Sequence, residues 1–313
     1  MKKHPGPSIR FKKSREVRNQ SNSEGKIIVN AENLRIGVPS KGRMAEQVEE
    51  LMSLAGLRFR RLERSLFARV SDMPIEITFL RTQDIPVLCA EGAIDMGITG
   101  GDLVEEAGAN IDLRLRLDIG KCRLAVCAPE SLKATSVKDI PKCRVATSFP
   151  RVTERHWKKH GGAPHLVTLS GSVEIMIALG VADAIVDLVE TGSTLAANQL
   201  KVLEEIGRYE AVVIQNRQRR HDALADRVIR RLEGVVIARG YSLLEYNISR
   251  EKLLEAEKIT PGFKSPTVNP LEDKDWCAIR VMVKRKDVIV VMEQLEAIGA
   301  SAILETPISN CRL

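Results

Sequence analysis

Aromatic residues, cysteines and long hydrophobic runs are all scarce in this sequence. Aromatic residues make up 4% of its 313 residues, which argues against a surface that stacks on single-stranded nucleic acid. No apolar run approaches the roughly 18 residues that a membrane-spanning helix needs, and the pattern of a secretory signal is absent. We therefore expect a cytoplasmic protein that binds neither nucleic acid nor a membrane.

The six cysteines do not have the spacing of a metal–thiolate site. None forms a Cys-x-x-Cys pair, and most lie inside apolar runs, which is typical of small core residues in a reducing compartment. The five histidines are scattered along the sequence. We therefore expect neither a zinc site nor a catalytic histidine.

Positive charge is concentrated at the amino terminus. Residues 1–30 contain eight lysines and arginines and two glutamates, a net +6 of the formal +7 of the whole chain. The remainder is almost neutral, which disfavours a nucleic-acid surface spread over the folded body. We expect residues 1–30 to form a disordered basic tail, with a basic arm or a transit-type segment as alternatives.

Strand and helix patterns alternate over most of the chain, which indicates an α/β fold with largely parallel sheets. A helix is predicted over 195–206, and a second, amphipathic helix over 217–234. From residue 234 onwards the order becomes βαββαβ-like, the ferredoxin-type pattern of small regulatory modules. The first strand of this module is predicted over 234–249.

The segment ADAIVDLVETGSTL, residues 182–195, carries the most chemistry. Asp183 and Asp187 share one face of the predicted strand, where two carboxylates can bind ribose hydroxyls, favour a positive centre or hold Mg²⁺ through water. The hydroxyl-rich turn with Gly192 then begins a helix, whose amide groups can cradle a phosphate. The pattern predicts a phosphoribosyl site, and a plain N-cap turn is the alternative.

The sequence resembles the ATP phosphoribosyltransferase family, whose members catalyse the first step of histidine biosynthesis. The resemblance covers about residues 34–313, and the blocks that carry it, in family order, are LRIGVPSKGRM, FLRTQDIPVLCAEGAIDMGITGGDLV, CRLAVCAP, RVATSFP, LSGSVEIMIALGVADAIVDLVETGSTL and ITPGFKSPTVNPLEDKDW. The last block is similar to the long form, which has its own regulatory domain.

This resemblance implies a two-lobed, periplasmic-binding-protein-like catalytic core and a C-terminal ferredoxin-like, ACT-like α+β regulatory domain. We expect catalytic lobe I over 31–120 with 195–216, catalytic lobe II over 121–194, a connecting helix over 217–233, and the regulatory domain over 234–313. The family forms dimers that assemble into hexamers, so the resemblance also implies a homo-oligomer.

The resemblance further implies that N1 of ATP displaces pyrophosphate from phosphoribosyl pyrophosphate, with Mg²⁺ held mainly by the substrate phosphates. The catalytic residues would be Asp183, Asp187, Arg81 and Lys41. Phosphoribosyl pyrophosphate would be bound by Glu190, Thr191, Gly192, Ser193 and Thr194. ATP would be bound by Arg43, Asp95, Gly97, Thr99, Gly100, Ser172 and Glu174.

Histidine is the implied feedback inhibitor. Its pocket would be formed by Asn247, Phe263, Ser265, Thr267, Met282 and Ala302. Relatives often carry an acid where this chain has Asn247, and an amide can only hydrogen-bond the inhibitor's charged groups, so we expect weaker inhibition.

Three alternatives remain open from the sequence. They are a phosphoribosyltransferase with another acceptor, a non-catalytic two-lobed small-molecule-binding protein, and a regulatory paralogue with an inactive site. The KGR and DMGITGG blocks favour ATP as the acceptor, and the intact Asp183, Asp187 and Thr194 disfavour an inactive site.

Overall fold

The computed structural model describes residues 33–63, 65–189, 193–219 and 223–313. Among these residues, no helix combines the length and apolar character needed to cross a bilayer.

The first lobe is a mixed sheet flanked by helices. Its elements are β1 (Leu34–Pro39), α1 (Arg43–Leu54), β2 (Phe67–Arg69), β3 (Ile75–Leu80), α2 (Ile85–Ala90), β4 (Met96–Gly100), α3 (Gly101–Ala107), β5 (Ile111–Arg116) and β11 (Ala211–Asn216). The strand order is β2-β3-β1-β4-β11-β5, with β3, β1 and β4 parallel. Helix α1 buries Val48, Leu51 and Met52 against this sheet, as their helical spacing predicts.

The second lobe repeats this design. Its elements are β6 (Cys122–Pro129), β7 (Arg144–Thr147), α4 (Pro150–Lys159), β8 (His165–Thr168), α5 (Ile175–Ala178), β9 (Ala184–Val189), α6 (Ser193–Ala197) and β10 (Leu200–Tyr209). The strand order is β10-β6-β9-β7-β8, and β8, β7 and β9 are parallel. The chain passes between the lobes twice, before β6 and after β10. The predicted periplasmic-binding-protein-like core is confirmed.

The predicted helix over 195–206 is wrong beyond residue 197. Residues 200–209 instead form β10, which pairs antiparallel with β6 along its whole length, with two irregularities in register. Pairing to a sheet edge overrides the helical propensity of LKVLEEI. As a result, only residues 211–216 return to the sheet of the first lobe, whereas we expected 195–216 to do so.

Helix α7 (Ala223–Arg239) joins the two lobes to the C-terminal domain. It buries Val228, Leu232 and Val235 in the same core as Leu51 of α1. The strand predicted over 234–249 is therefore wrong in its first part, because residues 234–239 complete the apolar stripe of the helix.

The C-terminal domain is a four-stranded antiparallel sheet with two helices on one face. Its elements are β12 (Tyr241–Ser249), α8 (Leu253–Ile259), β13 (Thr267–Pro270), β14 (Trp276–Lys284), α9 (Val288–Ala297) and β15 (Ser301–Pro307). The strand order β13-β14-β12-β15 confirms the predicted ferredoxin-like topology. Leu244, Tyr246 and Ile248 alternate into the core beneath the helices, so the intervening residues of β12 face outward.

The two lobes share one arginine–aspartate arrangement at the amino ends of their parallel strands. In the first lobe, Asp95 just before β4 accepts hydrogen bonds from the backbone N–H of Arg35 at 2.8 Å and from its guanidinium at 2.9 Å. In the second, Asp183 just before β9 accepts the same pair from Arg144, at 2.9 and 2.6 Å. Each guanidinium also donates to the carbonyl oxygen of the glycine three residues before its aspartate.

This repeat accounts for two aspartates that the sequence places in the active site. Asp95 and Asp183 each join two neighbouring parallel strands at the end where the strands begin. Parallel α/β sheets bind ligands at the opposite, carboxyl end. The roles predicted for Asp95 in ATP binding and for Asp183 in catalysis are therefore not supported by their positions.

We predict that Asp95→Asn lowers the free energy of unfolding by about 3 kcal/mol, because it leaves a partly buried Arg35 guanidinium without its carboxylate. Asp183→Asn should cost less, since Arg144 and Asp183 are 45% and 43% exposed, against 25% and 2% for Arg35 and Asp95. Urea unfolding followed by circular dichroism measures both. Wild-type stability in Asp95→Asn would contradict this structural role.

Candidate active site

A cavity of about 1020 Å³ lies between the lobes. Its walls come from the loops at the carboxyl ends of β1, β3 and β4 in one lobe and of β7, β8 and β9 in the other. This is where ligands bind in open α/β sheets. The volume lies at the upper end of the range for small-molecule sites and suits two substrates.

The loop after β1 forms a cationic wall of the cavity. Lys41 and Arg43 flank Gly42, which has a φ of 86° and is the N-cap residue of α1. Since glycine has no side chain to cap the helix, the first amides and the positive end of the helix dipole favour an anion here. The Arg61 guanidinium supports the loop by donating to the carbonyl oxygen of Ser40 at 2.8 Å.

The turn after β3 adds Arg81 and Thr82 to the same wall. The hydroxyl of Thr99 donates to the carbonyl oxygen of Thr82 at 2.9 Å, and Thr99 is completely buried. Gly97 is required because a side chain there would collide with Ile85 of α2. Thr99 and Gly97, which the sequence predicts to bind ATP, shape the strand and the turn that present Arg81.

Two carboxylates that are partly or largely buried line the cavity. Asp187 lies on β9 in the second lobe, where burial raises its pKa, the N–H of Leu188 opposes this, and nearby Glu174 raises the pKa further. Asp102 lies at the start of α3 in the first lobe, and burial raises its pKa as well. Any side chain at Gly100 would collide with the Asp102 carboxylate. A carboxylate that is poorly solvated in this way gains from a neighbouring positive charge.

The structure thus brings together Lys41, Arg43, Arg81 and Asp187 from the predicted set. Ser172, with a φ of 51°, directly follows the wall residues Ser170 and Gly171. Lying outside the described residues are Glu190, Thr191, Gly192 and the side chains of Ser193 and Thr194. The backbone of α6 begins at Ser193, beyond the carboxyl end of β9.

Several wall residues are not among those that the sequence predicts. Most lie within two residues of a predicted site residue or just after a predicted strand, and this proximity could have identified them. These residues are Thr82, Gln83, Asp102, Ser148, Ser170 and Gly171. The crossing segment that contributes Asp118 and Lys121 could not have been found in this way, because only the packing of the two lobes brings it to the cavity.

Contacts between α3 and α4 hold the lobes together beside the cavity. The Glu106 carboxylate accepts hydrogen bonds from the first amides of α4, those of Arg151 and Val152, each at 3.0 Å. Glu105 pairs with Arg155 and accepts a hydrogen bond from the Tyr209 hydroxyl at 2.7 Å. A glutamate of one lobe therefore caps the helix of the other.

In the C-terminal domain, the predicted histidine pocket lies mainly on the outward sheet face. Asn247, Thr267 and Met282 project from this face, by the strand register. Ala302 lies at an irregularity in the β12–β15 pairing and has a φ of 48°. A positive φ in a residue other than glycine is strained, and such strain is found at β-bulges and at ligand sites. The exposed Phe263 ring packs 5.2 Å from the ring of Tyr241, and Ser265 is exposed nearby in sequence.

Two family models match the chain. That of ATP phosphoribosyltransferase, HisG, matches residues 81–234, and that of the HisG C-terminal domain matches residues 238–310.

Relatives and a solved structure agree with these matches. ATP phosphoribosyltransferase of Rhodopirellula baltica is 62% identical over 280 residues, which are 90% of this chain and 94% of the relative. The enzyme of Saccharopolyspora erythraea is 41% identical, over 90% of this chain and all of its own. The structure of the ATP phosphoribosyl transferase (HisG:HisZ) complex from Thermotoga maritima superposes with a TM-score of 0.58 at 28% identity, over 65% of this chain and 97% of that one. The chain therefore belongs to the ATP phosphoribosyltransferase family, in its long form, and is a phosphoribosyltransferase of histidine biosynthesis.

Proposed function

We propose that the protein joins N1 of ATP to C1 of phosphoribosyl pyrophosphate with release of pyrophosphate, and that histidine inhibits it. The observation that carries this proposal is the opposition of charge in the cavity. Cationic loops of the first lobe face the partly buried Asp187 carboxylate of the second. The two substrates present multiple phosphates on either side of a ribose that becomes positively charged. The cationic loops are complementary to the phosphates, and the Asp187 carboxylate is complementary to the ribose.

The phosphates of ATP and the pyrophosphate group are bound by the first lobe. One phosphate group is bound by Lys41, Arg43 and the amino end of α1. Arg81 binds the leaving pyrophosphate, because the paired phosphate oxygens suit a planar guanidinium. The 5-phosphate of the ribose is bound by the segment Glu190–Thr194. Support for this comes from the position of α6, which starts directly beyond the strand that carries Asp187.

The reaction forms a bond from C1 to the adenine nitrogen and breaks the bond from C1 to the pyrophosphate oxygen. The electron pair of that bond leaves with pyrophosphate, while the ring oxygen shares the positive charge that develops at C1. Adenine N1 attacks with a neutral lone pair, so the step needs no general base. The protein therefore contributes positioning and electrostatic stabilisation, and Asp187 favours the developing cation.

Mg²⁺ belongs to this proposal as a partner of the substrate phosphates. Carboxylate and phosphate oxygens are the ligands that Mg²⁺ prefers, and the cavity offers the carboxylates of Asp102 and Asp187. When bound, the ion would neutralise charge on the leaving pyrophosphate.

Regulation is proposed for the C-terminal domain. Histidine would bind on the outward sheet face beside Asn247, and association through this domain would assemble a homo-oligomer. The strained backbone at Ala302, next to this face, supports the location.

We predict that Asp187→Asn lowers kcat about 100-fold, with a much smaller change in KM, because its interaction strengthens as positive charge develops. Since burial raises the pKa of Asp187, protonation should lower kcat/KM at a higher pH than for an ordinary aspartate. In Asp187→Asn, which has no carboxylate to protonate, kcat/KM should change less as the pH is lowered. A coupled pyrophosphate-release assay with ATP and phosphoribosyl pyrophosphate measures both effects.

Asp183→Asn is the matched control, since it lies four residues away at the other end of the same strand. It should retain the wild-type kcat. Equal losses in the two variants would overturn the separation of their roles, and the absence of pyrophosphate release from the wild type would overturn the proposed reaction.

We predict that Asn247→Asp tightens histidine inhibition by roughly tenfold or more, because a carboxylate replaces a neutral partner of the inhibitor's charged groups. Asn269→Asp adds the same charge to the same sheet face and is the control. The measurement is the histidine inhibition constant of the wild type and of both variants, obtained from histidine titrations. Inhibition that is already tight and unchanged in Asn247→Asp would remove Asn247 from the pocket.

A further inference from the structure

Two histidines and a glutamate converge in the second lobe, away from the substrate cavity. His156 lies on α4, and His160 is the residue that ends this helix four positions later, so both rings project from one helix face. Glu204 reaches them from β10. Its Oε1 lies 3.3 Å from Nε2 of His156 and 3.4 Å from Nε2 of His160. We call these three residues the His–His–Glu cluster.

The polar atoms of this cluster are incompletely satisfied. His156 is only 9% exposed, and its Nε2 has no hydrogen-bond partner among the described residues, nor has the buried Nδ1 of His160. A buried imidazole nitrogen without a partner is costly, and such groups in native structures commonly indicate an absent water or ion. Here Nε2 of His156 lies 3.3 Å from the Glu204 carboxylate, outside hydrogen-bond geometry, and the centroids of the two imidazole rings are 4.8 Å apart.

We propose that the His–His–Glu cluster binds one transition-metal ion of the Zn²⁺ type, with water as the fourth ligand. Zinc bonds to imidazole nitrogen and carboxylate oxygen measure about 2.0–2.1 Å, which places two tetrahedral ligands about 3.3–3.4 Å apart. Both histidine–glutamate distances match this spacing. All three ligand atoms lie within 4.8 Å of one another, and on binding the two histidine nitrogens would approach each other to the same spacing of about 3.3–3.4 Å.

The donor set distinguishes this ion from the Mg²⁺ of the proposed reaction. Imidazole suits zinc, copper and nickel, whereas Mg²⁺ prefers oxygen ligands. The other carboxylate oxygen of Glu204 accepts a hydrogen bond from the backbone N–H of Val137 at 3.4 Å, which orients the ligand as partners in the outer coordination shell do. His160 and Glu204 are each 25% exposed, which leaves an entry path for the ion.

A bound ion would join α4 to β10 within the second lobe. Helix α4 starts at the cavity wall beside Phe149, and its first amides are capped by Glu106 of the other lobe. The ion would fix the far end of the same helix. It should therefore stabilise the fold through binding to the native state, without contacting the substrates.

The test uses the full-length protein after treatment with a chelator. Zn²⁺ is titrated in competition with a chromophoric chelator, and Co²⁺ is added separately because its visible spectrum reports tetrahedral coordination. We expect one equivalent of Zn²⁺, a tetrahedral Co²⁺ spectrum without thiolate bands, and a higher Tm with Zn²⁺. Glu204→Gln and His160→Gln should each weaken binding at least about tenfold and abolish the Tm increase.

His165→Gln is the control, because His165 is exposed on β8 of the same lobe and should leave binding unchanged. Two partly exposed ligands are replaced separately, so misfolding of one variant, detected by circular dichroism, does not prevent the test. Equal Zn²⁺ affinity in the wild type and both variants, or no tetrahedral Co²⁺ spectrum, would show that the cluster is only a histidine–carboxylate contact.

Discussion

The opposition of positive loops on one lobe and a poorly solvated carboxylate on the other is the electrostatic feature on which the proposed chemistry depends. Lys41, Arg43 and Arg81 stand at the carboxyl ends of strands in the first lobe, and Asp187 stands on a strand of the second. Phosphates and a cationic sugar need opposite surroundings within a few ångströms. Two lobes that meet at their strand ends supply both, since the three cations come from loops of the first lobe and Asp187 comes from the second.

The remaining structure keeps these two walls in place. The Arg35–Asp95 and Arg144–Asp183 pairs fix the strands at the ends remote from the cavity, so the carboxyl ends are left for loops and ligands. Between the lobes, Glu106 caps a helix of its neighbour. This contact holds the two walls together beside the cavity.

Local patterns predicted most of the fold, because apolar periodicity determines buried strands and helices. They failed where distant pairing decided the structure. LKVLEEI became β10 because β6 offered a free edge. Asp183 and Asp187 share a sequence motif and one predicted strand face. Their positions along the strand nevertheless differ, since Asp183 pairs with Arg144 at the start of β9, whereas Asp187 reaches the cavity near its end. The His–His–Glu cluster was equally hidden, since Glu204 lies 44 residues beyond His160 and was expected on a helix.

A crystal structure with phosphoribosyl pyrophosphate and Mg²⁺ tests the central claim most directly. We expect pyrophosphate oxygens at Arg81 and Lys41, the ribose beside Asp187, and the 5-phosphate at the amino end of α6. A sugar phosphate bound at the opposite strand ends, near Asp95 or Asp183, or a ribose out of reach of Asp187, would contradict it.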